Sequence, residues 1–590
     1  TKHLVMIALV GLMIGLLTAC TQPQPSAPPA STATALPETT TPATPANTPG
    51  ATAPATPAKA PGAAVPEIAA IAPVAPITGM PAGSDGFDWW NDTTFYEIFV
   101  RSFSDSDGDG IGDFNGLTAK LDYLNDGDPE TTTDLGITGI WLMPIMESPS
   151  YHGYDVTDYF KLNPDYGTEA DFKRFLEEAH KRGIRVVVDM VLNHTSNDHP
   201  WFEDAETLGS QHDSWYVWSA DDPGYAGPWG EKVWYKVGDR YYYAVFWEGM
   251  PDLNYRNPEV TAQMYEVSRY WLEDMGVDGF RLDAIRHLIE DGEVQENTPE
   301  THGWLQAYRD FLTEIQPEAL TVGEIWSPTD DVVPYVKNGE VDLAFEFDLA
   351  AAMVNAARGE TRGPVAGAQF KAWNAYPPGQ YAPFLTNHDQ ERVMSQLGGD
   401  EGKARVAALL LLTSPGVPFI YYGEEIGMIG TKPDEQIRTP MQWTADDNAG
   451  FTTGDPWIKV KANYPEANVA VESTDPDSLW NTYRALIHLR NNHVALRTGD
   501  YTKVDVTDSK VYAFLRSSPQ ETVLVLINLS SKPVSDYVLN LPKGPLTGPV
   551  DAVEVLHGVA VTAPTITAEG GFKGYRPLDT LAPQTGYVIR

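Results

Sequence analysis

The sequence is nearly devoid of cysteine: Cys20 is the only one in 590 residues, so no intramolecular disulfide can form. Positive charge is scarce as well, with 40 Lys and Arg against 81 Asp and Glu and a formal net charge of -41. Phosphate backbones are bound by cations that displace counterions, so this balance excludes a nucleic-acid partner. A soluble, self-repelling surface accounts for the excess acid. Neither a glycine-rich dinucleotide fingerprint nor a phosphate-binding loop is present. The one sustained apolar run at the start, Leu4 to Leu17, is short for a membrane span and of the size of a signal-peptide core.

The remainder divides by composition. Residues 1–20 read as a lipoprotein signal peptide, because Leu17-Thr18-Ala19-Cys20 resembles the bacterial lipobox and Cys20 has no other structural role. The expected location is therefore outside the cytoplasm, with a membrane contact made by lipid on Cys20. Residues 21–83 are mostly Pro, Ala and Thr, too poor in apolar groups to fold, and are expected to form an extended stalk. A hydrophobic fraction of 42% over this length supports two or three folded units.

After Trp89 short β-branched or aromatic runs alternate with amphipathic stretches, the pattern of repeated β-α units. In one unit Thr168 is placed to cap a helix with Asp171 three residues on, and Phe172, Phe175, Leu176 and Ala179 fall at helical spacing. Gly183 ends that helix, and Ile184 to Val188 reads as a strand buried on both faces. Similar runs occur at Phe95 to Val100, Ile137 to Leu142, Val277 to Leu282, Leu320 to Val322, Leu343 to Phe347, Tyr381 to Leu385 and Val417 to Tyr422. The expected fold class is α/β: a (β/α)8 TIM barrel over 84–498, with a subdomain inserted after strand 3 at about 194–255. Asp477 is placed to cap a helix through Leu479, Tyr483, Leu486 and Arg490. Alternation in Val511 to Arg516 and Thr522 to Asn528 then marks a C-terminal antiparallel β-sandwich domain over 499–590.

Active sites of β/α barrels lie at the C-terminal ends of the strands. The chain places Asp189-Met190-Val191-Leu192-Asn193-His194 after strand three, Arg281-Leu282-Asp283-Ala284 after strand four, Gly323-Glu324-Ile325-Trp326 after strand five and Asn387-His388-Asp389 after strand seven. Any one of these could be a cap or an ion-pair partner. Together they gather carboxylates, histidines and an arginine on one rim.

These four segments resemble, in order, the signature regions of glycoside hydrolase family 13, the α-amylase family, over roughly Trp89 to Arg590. Met250-Pro251-Asp252-Leu253-Asn254, the run from Gly416 to Glu425, and Arg438-Thr439-Pro440-Met441-Gln442-Trp443 support the resemblance. It implies Asp283 as nucleophile, Glu324 as general acid/base and Asp389 as transition-state stabiliser in a retaining mechanism. It also implies a substrate-binding set of Tyr154, His194, Arg281, His287, His388 and Arg438. Arg281, two residues before Asp283 on a strand, faces the same way and can hold that carboxylate ionised. Glu324, beside Trp326, is expected in a setting that raises its pKa.

The run Asp105-Ser106-Asp107-Gly108-Asp109-Gly110-Ile111-Gly112-Asp113 offers oxygen ligands at alternate positions, which suits Ca2+. An EF-hand would need Glu where Gly116 stands; the loop instead resembles the calcium loop of oligo-1,6-glucosidase-like members. That likeness gives Asp105, Asp107, Asp109, Ile111 through its carbonyl, and Asp113 as ligands. Asn193, Asp252 and the His287 carbonyl resemble a second family site.

Met250 to Asn254 lies between the oligo-1,6-glucosidase and neopullulanase patterns, and Ala284 and the Arg286-His287 pair resemble enzymes that cut α-1,4 bonds. The expected substrate is a malto-oligosaccharide or starch, cut by a monomeric enzyme. The alternatives are an exo-α-glucosidase or trehalose synthase, which Arg438 to Trp443 resembles, and a non-catalytic glucan-binding protein, which would lack part of the carboxylate set.

Overall fold

The computed structural model describes residues 79–590. The expected signal peptide, Cys20 and the expected stalk as far as residue 78 lie outside the described residues. Pro81, near the expected end of the stalk, is buried, and its carbonyl accepts Arg185 Nη2 at 3.2 Å.

Seven parallel strands form a curled sheet: β1 Phe95–Ile98, β2 Gly139–Leu142, β3 Arg185–Met190, β4 Gly279–Leu282, β5 Leu320–Gly323, β6 Leu343–Ala344 and β7 Phe419–Tyr421. Their order is β6-β5-β4-β3-β2-β1-β7. The expected strand at Tyr381 to Leu385 is not a ladder strand. Pro383 has no N–H to give, and the segment makes one parallel bridge, Phe345 to Ala382. It still joins both edges, since Ala382 N–H donates to Ala344 and the Val417 and Phe419 N–H groups donate to Tyr381 and Pro383. The eight-fold ring is closed by backbone hydrogen bonds across this irregular segment.

Strand parity explains how the ring is filled. Side chains two residues apart share a face, so Phe95 and Glu97 point inward on β1, Val187 and Asp189 on β3, and Leu320 and Val322 on β5, with Glu324 following. The lower positions pack one apolar layer of Phe95, Trp141, Val187, Leu320, Leu343 and Phe419, in which Phe95 and Phe419 stack at 4.5 Å. The upper inward positions carry charge. Gly139 makes room for this layer, because a Cβ there would meet the Phe95 ring at 2.6 Å.

The helix Glu169–Lys181 has the expected capping box between Thr168 and Asp171, and buries Phe172, Phe175, Leu176 and Ala179. Gly183 follows it at φ 77°, a conformation glycine adopts without strain. Between β3 and β4 lies a three-stranded antiparallel sheet of Trp218–Ser219, Trp234–Val237 and Arg240–Tyr243. Its own core is small, built on Val233, Trp234, Tyr243 and Val245.

The helix Leu479–Asn492 is capped by Ser478, whose side chain accepts the Asn481 N–H, and not by Asp477 as expected. Beyond it, a four-stranded sheet (Asp500–Lys503, Val511–Ser517, Thr522–Asn528, Thr585–Ile589) and a three-stranded sheet (Asp505–Val506, Leu539–Leu541, Phe572–Tyr575) enclose a common apolar core. Two buried arginines join this region to the barrel. Arg490 donates to the carbonyls of Leu412, Ser414 and Gly416, and Arg516 to those of Thr413 and Gly499. They satisfy carbonyls at the end of helix Glu401–Thr413 that would otherwise be buried without partners.

Candidate active site

The C-terminal mouth of the barrel opens into a cleft of about 680 Å³. Tyr154, His194, Asp283, His287, Glu324, Asp389 and Arg438 all line it. Arg281 and His388, fully buried, lie directly beneath. All nine catalytic and substrate-binding residues expected from the sequence therefore come together.

Arg281 is the hub. Its Nη1 donates to Asp189 Oδ1 and Oδ2 at 2.8 and 2.9 Å and to Asp283 Oδ1 at 2.7 Å. Its Nη2 stands 2.8 Å from Glu324 Oε2, off the hydrogen-bonding line, so that contact is charge pairing. Burial pushes the Asp283 carboxyl up, and the Glu324, Asp189 and Asp389 charges add to the effect; Arg281 opposes them. Asp189 is pushed the same way by burial and opposed by the same guanidinium.

Glu324 accepts the Ala284 N–H at 3.1 Å. Ala284 has φ 48°, a left-handed conformation unusual for alanine, which turns that N–H toward the carboxylate. Trp326, expected beside Glu324, stacks on Phe347 at 4.8 Å.

On the opposite wall Asp389 Oδ1 accepts Arg438 Nη2 at 2.7 Å, and its Oδ2 lies 3.2 Å from His388 Nε2. Burial alone would raise this carboxyl, but the His388 and Arg438 charges hold it well below the usual carboxylate range. Tyr154 stacks against His388 at 5.5 Å and donates its hydroxyl to Asp189 Oδ2 at 3.0 Å. His194 is buried and pushed down to about 3, hence neutral, with Nε2 at the Tyr154 carbonyl. The basic pair read from Arg286-His287 carries only one charge. Burial, with the adjacent Arg286, pushes His287 down to about 4, and its Nδ1 is held at the Gln295 carbonyl.

Several residues in or beneath the cleft were not anticipated. Glu97 approaches His388 Nδ1 to 2.5 Å; the signal available was an acid inside the apolar run of β1. Trp229, Phe246 and Trp247 come from the inserted subdomain, and Lys432 and Asp434 from the segment before Arg438. None of these five stands at the C-terminal end of a barrel strand.

The acidic loop after β1 brings carboxylate oxygens of Asp105, Asp107 and Asp109 within 4.8 Å of one another. Burial and the neighbouring carboxylates push Asp109 up, a repulsion that a hard cation would relieve. This trio fits such an ion. Asp113 accepts Ser106 N–H and hydroxyl and the Gly116 N–H, capping the helix Phe114–Ala119, and Asp105 likewise accepts the Asp107, Gly108 and Gly110 N–H groups. The Ile111 N–H donates to Asp109 Oδ1 at 2.8 Å. At the second expected site Asn193 Nδ2 donates to Asp252 Oδ2 at 3.0 Å, while Asn193 Oδ1 is buried without a partner, an acceptor that suits a cation.

The comparisons with known proteins agree with this geometry. A model of the family described as "Alpha amylase, catalytic domain" matches residues 97–499. The chain is 39% identical over 451 residues to Alpha-amylase 3 of Dictyoglomus thermophilum, covering 75% of this chain and 85% of that protein. It is 36% identical over 500 residues to trehalose synthase of Thermus thermophilus, covering 75% of this chain and 50% of that protein. An α-amylase of known structure from H. orenii superimposes with a TM-score of 0.73 at 42% identity, over 84% of this chain and 99% of its own. A barrel with this cleft and these relatives is an enzyme of the glycoside hydrolase type. The chain belongs to the α-amylase family, glycoside hydrolase family 13.

Because one guanidinium balances three carboxylates, Arg281→Met should destabilise the fold by about 3 to 5 kcal/mol at pH 8. Without Arg281 the folded-state pKa values of Asp189 and Asp283 rise further above their unfolded values. Stability is then fullest at low pH and is lost as pH rises toward those values. Thermal melts should show the deficit growing from pH 5 to pH 8, and a deficit independent of pH would contradict this account.

Proposed function

We propose that this enzyme is a retaining α-glycoside hydrolase that cuts α-1,4-glucosidic bonds in starch-derived malto-oligosaccharides. The observation that carries the reading is the single guanidinium contacting both Asp283 and Glu324. Shared contact with one planar group supports the short separation of about 5 to 5.5 Å found in retaining pairs.

In this reading Asp283, its ionised form favoured by Arg281 against the effect of burial, attacks the anomeric carbon while Glu324 protonates the departing oxygen. Glu324 then takes a proton from the water that releases the glycosyl group. Asp389, anchored by Arg438 and His388, holds hydroxyls of the cleaved sugar as its ring flattens. The α-1,4 preference rests on Ala284. Its small side chain stands beside the nucleophile where the leaving sugar passes, and its left-handed backbone would strain a β-branched residue. A second reading, isomerisation of maltose or exo-cleavage, is favoured by Lys432, Asp434 and Arg438 bounding the cleft and by the likeness to a trehalose synthase.

We further propose that Asp105, Asp107 and Asp109 hold Ca2+, with Asn193 and Asp252 as a second oxygen-rich site, and that lipid on Cys20 anchors the enzyme outside the cytoplasm.

Wild-type kcat/KM for maltotriose should exceed that for isomaltotriose by about tenfold or more. Asp283→Asn and Glu324→Gln should each lower both by several powers of ten. Equal cleavage of the two trisaccharides would end the α-1,4 assignment, and trehalose as the main product from maltose would establish the second reading.

For the loop, added calcium should raise the melting temperature of the wild type. A ligand at about 100 times its Kd contributes about 2.7 kcal/mol. Asp107→Ala combined with Asp109→Ala should remove most of that response. A wild-type melting temperature indifferent to calcium and chelator would rule the site out.

A further inference from the structure

On the buried side of the site, we infer that Glu97 is a positioning residue that keeps His388 an imidazolium, with Nδ1–H bound to Glu97 and Nε2–H directed at Tyr154 and Asp389. Glu97 is 2% exposed and lies 2.5 Å from His388 Nδ1; Nε2 is 2.7 Å from the Tyr154 hydroxyl. That hydroxyl donates onward to Asp189, so it must accept from Nε2, which therefore carries hydrogen.

The groups around His388 are Glu97 on β1, Trp141 on β2, Tyr154 after β2 and adjacent Asp389, with Asp189 and Arg281 behind Tyr154 and Arg438 at its carbonyl. Burial would lower its pKa, but Asp389 and Glu97 raise it to about 9.

Glu97→Gln keeps the shape and removes the charge. The alkaline limb of kcat/KM should move down by one pH unit or more, so the loss relative to wild type is larger at pH 8 than at pH 5.5. A loss constant across pH would show a merely structural role and overturn the inference. Glu97→Asp, which restores the carboxylate, should return the limb to within half a unit of wild type. Should Glu97→Gln fail to fold, titration of the His388 signal in histidine-labelled wild type, assigned with His388→Gln, decides: a midpoint below pH 7 refutes it.

Discussion

One buried guanidinium governs the centre of this molecule. Arg281 is fully enclosed, yet it contacts Asp189, Asp283 and Glu324. Enclosure makes charges interact strongly and makes an unpaired charge costly. The arginine and its carboxylates therefore stand or fall as a set. The barrel makes this set possible, because strands β3 and β4 pair in register with Asp189 opposite Arg281, leaving the guanidinium room to reach strand β5's end.

The same enclosure organises the opposite wall. His388 and Arg438 face Asp389, while Glu97 supports His388 from below, so cations and carboxylates alternate around the cleft. Tyr154 connects the two walls through its hydroxyl, between His388 and Asp189. This chain of contacts runs without a break from Glu97 on β1 to Asp283 after β4. Beneath it the aromatic and aliphatic layer closes the barrel floor and keeps water from reaching the charges from below.

Family membership fixes the architecture and leaves linkage choice to the walls. Relatives bearing the same fold are named alpha-amylase and trehalose synthase, as expected where one scaffold serves several reactions. In this chain the walls come from the inserted subdomain, with Trp229, Phe246 and Trp247, and from the loop of Lys432 and Asp434. Reading specificity therefore means reading loops, whose side chains are placed by contacts distant in sequence.

The sequence by itself determined the strand-helix alternation, the capping box at Thr168 and Asp171, and the carboxylates at the strand ends. Each rests on local spacing, and local spacing survives folding. Where a long-range contact decided, spacing was silent: the ring closes past Pro383 only because the segment donates to one neighbouring strand and accepts from the other, and Ser478 displaces Asp477 as the cap. His287 reads as a base and is neutral because burial withholds its proton. Asp113 reads as a ligand, and the fold shows that it also caps a helix. Glu97 reads as one acid among 81, and only the packing of β1 against the His388 turn gives it a partner. Tertiary structure decided these points because a residue's charge and hydrogen-bond partner depend on what is excluded around it, which spacing along the chain does not encode.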